Sequence, residues 1–254
     1  LTSPPPSDPN GGVERGSDTL SPATAMSALQ WWIEAGVDTM VSDEPRDWLR
    51  PVRTPPVTAP AAPEKAHAET LPEQIDLFQA YLRDSDALPL ATPGARRVCP
   101  SGDPASGLMM MVDMPAEEDC ASGALLAGDV GQLFDRMLAA IGRGRQSVYL
   151  ASLACFRTPA GTLTDPDAAR CTTLARHHIG LAAPQALLLF GDACARALTG
   201  LSVAQARGRW HDVQTHAGPI PALVTLNPAQ LLAHPRLKAH AWADLQMLMK
   251  GPPQ

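Results

Sequence analysis

A chain of 254 residues that is 45% hydrophobic is long enough for one sizeable core with segments to spare. Its formal net charge of -6 excludes nucleic-acid binding by bulk attraction alone, although a local basic face remains compatible with it. No apolar run approaches the ~18 residues that would span a bilayer, so no membrane partner is expected. Five cysteines without CxxC spacing exclude a secreted disulfide framework, and a reducing cytoplasm is the expected compartment. The first residue is Leu rather than Met, as expected of a fragment or a processed chain.

Residues 1–20 are rich in Pro, Ser, Gly and Asp with almost no apolar payload, which predicts a disordered tail. Over residues 21–50, Ser21-Pro22 opens a helix carrying Met26, Leu29, Trp32 and Ile33. Trp48 anchors a second short element in that segment. The tryptophans Trp31, Trp32 and Trp48 predict that it packs on something, either the main domain or a separate repair partner. Residues 51–68 are a Pro and Ala-rich linker, and the globular domain is expected over residues 69–254. Thr70 and Glu73 fit a capping box ahead of a helix that buries Ile75, Phe78 and Leu82.

From Gly107 onward the pattern alternates. Four apolar runs read as strands: Leu108–Val112, Val148–Leu153, Ala186–Phe190 and Ala222–Leu226. Between the first two lie an acid-rich loop and a helix on which Val130, Leu133, Phe134, Met137, Leu138 and Ile141 form a 3.6-residue stripe. Asp165-Pro166 opens a helix with Cys171, Leu174, Ala175, His178 and Ile179 on its apolar face. A short helix follows Gly191, and a last one from Pro235 carries Leu237, Ala241, Leu245 and Leu248. Strands alternating with helices predict a three-layer αβα sandwich on a four-stranded parallel sheet, with the post-strand loops at one edge.

Those loops carry no GxGxxG, no GxxxxGK[ST], no GxSxG and no HExxH, so phosphate-loop, nucleophile-elbow and zinc-protease chemistry are unexpected. Their residues are VDMPA (Val112–Ala116), the acids Glu117, Glu118 and Asp119, and then LLAG (Leu125–Gly128) and GQLFDRML (Gly131–Leu138). Further on come YLAS (Tyr149–Ser152), ACFRTP (Ala154–Pro159), RGRW (Arg207–Trp210) and NPAQLLAHPRLK (Asn227–Lys238), with Trp242 and Asp244 beyond.

In order and spacing this set resembles the uracil-DNA glycosylase superfamily, nearest to its family 4, iron–sulphur branch. There the corresponding motifs run GEAPG, PFVG, GQLLDRML, YITN, KCRPP, RGRW and HPAYLLR. The resemblance spans about residues 77–248 and implies a base-excision enzyme acting on damaged or single-stranded DNA, expected as a monomer. It implies that Asp113 orients water and that Asn227 stands where the family's His stabilises the leaving base. Met114, Pro115, Ala116, Leu126 and Ser152 would line the base pocket. Arg207, Arg209, Pro228, Leu231, Arg236 and Lys238 would meet DNA, with Leu231 and Leu232 either a wedge in the base stack or core contacts of the first helical turn.

Four of these positions depart from the family. Asp113 is one methylene shorter than the family's Glu, Leu126 has no π-face, Ser152 lacks the paired donor and acceptor of Asn, and Asn227 never carries charge. Two readings stay open: a DNA glycosylase of altered specificity, and a catalytically silent relative that binds DNA or a repair partner. The family's [4Fe–4S] cluster uses four cysteines. Cys155 and Cys171 match two of them, and Ser85 and Leu88 fall nearest the other pair, so no cofactor and no metal are expected.

Overall fold

The computed structural model describes residues 71–252 together with Met26, and the fold belongs to the second of two units, which begins at Ala68. Apart from Met26, the expected tail, tryptophan segment and linker lie outside the described residues, as does Thr70.

Six strands form one sheet: β1 (Ser101–Gly102), β2 (Leu108–Val112), β3 (Tyr149–Ser152), β4 (Ala186–Phe190), β5 (Trp210–Thr215) and β6 (Gly218–Thr225). Their order is β1-β3-β2-β4-β6-β5. The four expected strands are its centre and all run parallel, with Met109 opposite both Tyr149 and Leu187, and Leu187 opposite Ala222. The expectation of a four-stranded parallel sheet is corrected by two antiparallel edges, β1 on β3 and β5 on β6. In β5, Trp-His-Asp-Val-Gln-Thr, only Val213 is buried, which suits an exposed edge but offers no apolar run to a reader of the sequence. Pro219 and Pro221 lie in the part of β6 that pairs with β5 alone, ahead of the Ala222–Thr225 stretch against β4.

Alternate residues of the parallel strands feed two cores. On one face Met109, Met111, Ala151, Leu189 and Val224 pack under α4 (Asp165–Ala182) and α5 (Asp192–Thr199), through Cys171, Ala175, Ile179 and Leu198. On the other face Met110, Leu150, Leu188 and Phe190 pack under α3 (Gly128–Ala140) and α8 (Lys238–Lys250), through Phe134, Leu138, Leu245 and Leu248. Burial on both faces explains why the strands are unbroken apolar runs. The result is three layers, helices–sheet–helices.

Three details differ from expectation. The helix expected behind Thr70, α1, runs Ile75–Asp84 behind Gln74, so it does not start at Leu71. Leu71 and Pro72 precede it as coil, and the Pro72 carbonyl accepts a hydrogen bond from His177 Nε2 at 2.8 Å. The acid-rich loop contains a short helix, α2 (Glu117–Ser122), whose three first-turn acids suit a helix N-terminus. The last helix is preceded by a 3₁₀ turn at Pro235–Leu237. Two further short helices, α6 (Val203–Ala206) and α7 (Pro228–Ala233), flank the β5–β6 hairpin.

Candidate active site at the carboxyl edge of the sheet

The parallel ladder aligns the ends of four strands. Val112 pairs with Ser152, and Phe190 with Thr225. Backbone bonding continues one step further: Leu153 N donates to Val112 O at 2.8 Å, Ala154 N to Asp113 O at 3.1 Å, and Gly191 N to Thr225 O at 3.0 Å. The loops that begin at Asp113, Leu153, Gly191 and Leu226 therefore leave the sheet side by side, where open α/β sheets bind ligands.

Asp113 turns its carboxylate toward the start of α5. Its Oδ1 accepts a hydrogen bond from the backbone N–H of Cys194 at 2.9 Å, one of the amides that a helix N-terminus leaves unpaired. Gly191 lies against the other oxygen. A β-carbon there would stand 2.5 Å from Oδ2, and the backbone at φ +87° and ψ 174° is open essentially to glycine alone. Burial pushes the Asp113 carboxyl above its ordinary pKa; the hydrogen bonds from Cys194 pull it down and the charge of Asp192 pushes it up again. The fully buried Cys194 thiol is raised well above its ordinary value, first by desolvation and then by Asp113, and stays protonated.

A second carboxylate, Asp119, braces the loop between β2 and α3. Buried to 3% exposure, it accepts Ala116 N at 3.0 Å through Oδ2 and Ala127 N at 2.7 Å through Oδ1. Arg145 closes the far end, donating to Leu125 O at 2.9 Å, Leu126 O at 2.6 Å and Asp135 Oδ1 at 2.6 Å. Leu126 is thereby held at φ +52° and 5% exposure. The motifs carry Asp119 only as one of three acids, and they do not include Arg145. An acid three places into a short helix is a usable signal for Asp119; nothing local marks Arg145.

The β3 loop leans on the β2 loop, with Arg157 Nη1 3.4 Å from the Pro115 carbonyl. Pro115 is buried, Met114 half-buried and Ala116 exposed. Ser152 is 8% exposed and its hydroxyl has no hydrogen-bond partner among protein atoms. A buried orphan hydroxyl costs about 1–3 kcal/mol, so it calls for an explanation.

Asn227 caps α7, its Oδ1 accepting Ala229 N at 2.9 Å while its amide N–H groups remain available. Pro228 follows, buried, at the first helical position. Leu231 is 1% exposed and packs with Leu226 and Ala241, whereas its neighbour Leu232 is 38% exposed. Arg207 is turned inward: its Nε donates at 2.8 Å to Asp244, which is buried and also accepts from Thr225 Oγ1 at 2.8 Å. Arg209, Arg236 and Lys238 are exposed. The structure thus brings Asp113, Met114, Pro115, Ala116, Ser152 and Asn227 to one edge, and gives Arg207 and Leu231 partners in the interior.

Away from this edge, Cys155 and Cys171 line a cavity of about 20 Å³ with Phe78, Leu82, Leu88 and His178. Burial pushes Cys155 up to about 12 and Cys171 up to about 11. Among the described residues, no group of three or more His, Cys, Asp and Glu is placed to hold a metal ion.

The sequence can be set beside known proteins with this geometry in hand. The family pattern of the uracil DNA glycosylase superfamily matches residues 99–246. That interval begins ahead of β1 and ends inside α8, and so takes in the whole sheet and every loop of the site. The chain is also similar to a type-4 uracil-DNA glycosylase of Archaeoglobus fulgidus, at 20% identity over 154 residues, covering 58% of this chain and 77% of the relative. An α/β sheet with a carboxylate at the end of β2 and an Asn-Pro helix start after β6, matched over that interval, makes this chain a divergent member of the uracil-DNA glycosylase superfamily.

Proposed function

We propose that this protein is a DNA repair enzyme that hydrolyses the N-glycosidic bond of uracil or another damaged base. The observation that carries the reading is the Asp113 carboxylate, fixed through Oδ1 to the Cys194 amide at the carboxyl edge of the sheet. Cys194 orients the carboxylate, and burial raises its basicity, as suits a group that takes a proton from a water molecule. In the reaction, water oxygen bonds to C1′ of the sugar and the C1′–N bond breaks, its electron pair leaving on the base. The water's proton passes to Asp113. The Asn227 amide, with its oxygen committed to the helix cap, donates a neutral hydrogen bond to the departing base. The orphan Ser152 hydroxyl supplies a single polar contact to the base edge.

The base enters this pocket only after leaving the stack, and Leu126, buried at the position matching the family's stacking Phe, offers it no ring. Arg209, Arg236 and Lys238 bind phosphates. The protein acts as a monomer, and a repair partner is engaged by the tryptophan-bearing segment of residues 21–50. A second reading has one observation in its favour. Asp113 also serves as a helix cap, so its retention is compatible with a silent scaffold that binds DNA or that partner.

The deciding experiment uses single- and double-stranded oligonucleotides carrying uracil, hypoxanthine, xanthine or a G·T mismatch, with abasic sites cleaved by alkali. Strand breaks that disappear in Asp113→Ala support the enzyme. Intact strands on every substrate, with oligonucleotide binding retained, overturn it in favour of the scaffold.

A further inference from the structure

The wall between α1 and α4 is where the resemblance places a [4Fe–4S] cluster, and its residues do not fit one. Such a cluster is usually held by four thiolates. Two cysteines line this cavity, Cys155 and Cys171. At one of the other two ligand positions stands Leu88, 4% exposed and packed with Phe78, Leu82, Cys155 and Phe156. At the other, Ser85 is spent on local structure: its hydroxyl accepts Ala87 N at 3.1 Å and its carbonyl accepts Arg97 Nη2 at 2.6 Å.

We infer that this chain closes the α1–α4 wall with an apolar plug centred on Leu88 and a buried hydrogen-bond relay, in place of an iron–sulphur cluster. The relay runs from helix to strand to helix. Gln79 Nε2 of α1 donates at 2.9 Å to the hydroxyl of Tyr149 on β3, which lies 2.7 Å from His178 Nε2 of α4. With the amide occupying a lone pair of the phenol oxygen, the phenol proton goes to His178, whose Nε2 accepts it as a neutral imidazole. Beside the relay, the Phe78 ring sits 5.1 Å from the His177 ring and 5.2 Å from the His178 ring. His177 reaches on to the Pro72 carbonyl. Together these contacts tie α1 and the chain before it to β3 and α4, the kind of cross-link a cluster bound between the same elements would supply. Leucine in place of a ligand removes a thiolate and fills its space at once, so the substitution is coherent as packing rather than as the partial loss of a metal site.

The test reads iron and stability, with no substrate present, so it stands or falls independently of the glycosylase reading. The full chain is purified without oxygen from iron-supplemented cells and assayed for iron and acid-labile sulfide. It is assayed again after incubation with ferrous iron, sulfide and thiol. The expected protein is colourless, far below one iron per chain in both states, with the same Tm with or without a chelator. Iron and sulfide approaching four each per chain, with broad visible absorption, would overturn the inference. Leu88→Ala is expected to lower Tm on the order of 5–15 °C through the cavity it opens, and Tyr149→Phe to lower it by a smaller step by stranding His178 and Gln79. Unchanged Tm in both variants would also overturn it.

Discussion

Asp113 and Gly191 meet across the carboxyl edge of the sheet with no room for a side chain between them: a β-carbon on Gly191 would lie 2.5 Å from Asp113 Oδ2. The contact joins the end of β2 to the start of α5, 78 residues apart in sequence, through the pairing of β2 with β4. Gly191→Ala must therefore push the carboxylate aside as well as strain the backbone. It is expected to cut kcat by about 10²-fold, since a displacement of roughly 1 Å is enough for that loss. Gly200→Ala is the comparison. It also forces a left-handed residue, at φ +75°, but its β-carbon would touch nothing, so it should cost stability alone. Equal activity in the two variants would separate the Asp113 contact from catalysis.

Asp113→Asn should part activity from stability. The amide oxygen can still accept the Cys194 N–H, while the charge and its basicity are gone, so activity should fall ~10²–10⁴-fold. The stability sign follows from the raised pKa of the buried acid. A carboxyl whose folded pKa lies above its unfolded value of about 3.9 contributes fully below that pH. The contribution is lost as pH rises through the folded value, so at neutral pH the ionised group destabilises the fold. The Asn variant should accordingly melt no lower than the parent at pH 7 to 8. In the parent, the acid limb of kcat/KM should lie above that of an ordinary Asp. A lower Tm in Asp113→Asn would mean that the carboxylate charge is needed for the α5 cap.

Which parts of this site are legible without the structure follows from the range of the forces involved. The α3 stripe is readable because Phe134 and Leu138 repeat with the helix period and are buried. Leu-Met-Met-Met-Val is readable as a strand because both of its faces are covered. Asp113 stands out as the first polar residue beyond that strand, but its partners Gly191 and Cys194 do not, because they reach it only through the order of the strands. β5 is hidden because an edge strand is polar by necessity, and α2 because six residues are too few to show a period. Leu231 and Leu232 show the limit of motif reading: a helix starting at Pro228 turns the first inward and the second out, and the phase of that helix decides between them.

His178 makes the fold sensitive to acid. Burial holds its imidazole neutral, with the pKa lowered from 6.5 to about 3, and the nearby His177 adds to the effect. The stability it contributes is present above pH 6.5 and is lost as pH falls toward 3, at on the order of 1 kcal/mol per pH unit. Thermal melts between pH 7 and 4 should show this slope in the parent. It should flatten in His178→Gln, whose amide can still meet Tyr149 but takes up no proton. Parallel pH profiles for the two proteins would assign the acid sensitivity to other groups.

The two arginines of Arg207-Gly-Arg209 should behave differently under mutation. Arg207 holds the buried Asp244 at 2.8 Å and is itself 19% exposed, so Arg207→Ala leaves a buried carboxylate with Thr225 as its remaining partner. Breaking such a pair costs about 3 kcal/mol, or on the order of 5–10 °C in Tm for a domain of this size. Arg209 is exposed, and Arg209→Ala should leave Tm within about a degree of the parent, as surface substitutions usually do. It should instead weaken oligonucleotide binding equally across sequences. In a plot of log K against log salt concentration, the slope should shrink by about one unit for each phosphate that is no longer neutralised, and Arg236→Ala and Lys238→Ala should each do the same. A salt slope unchanged by all three exposed substitutions would move the DNA path off this face, whatever Arg207→Ala does to stability.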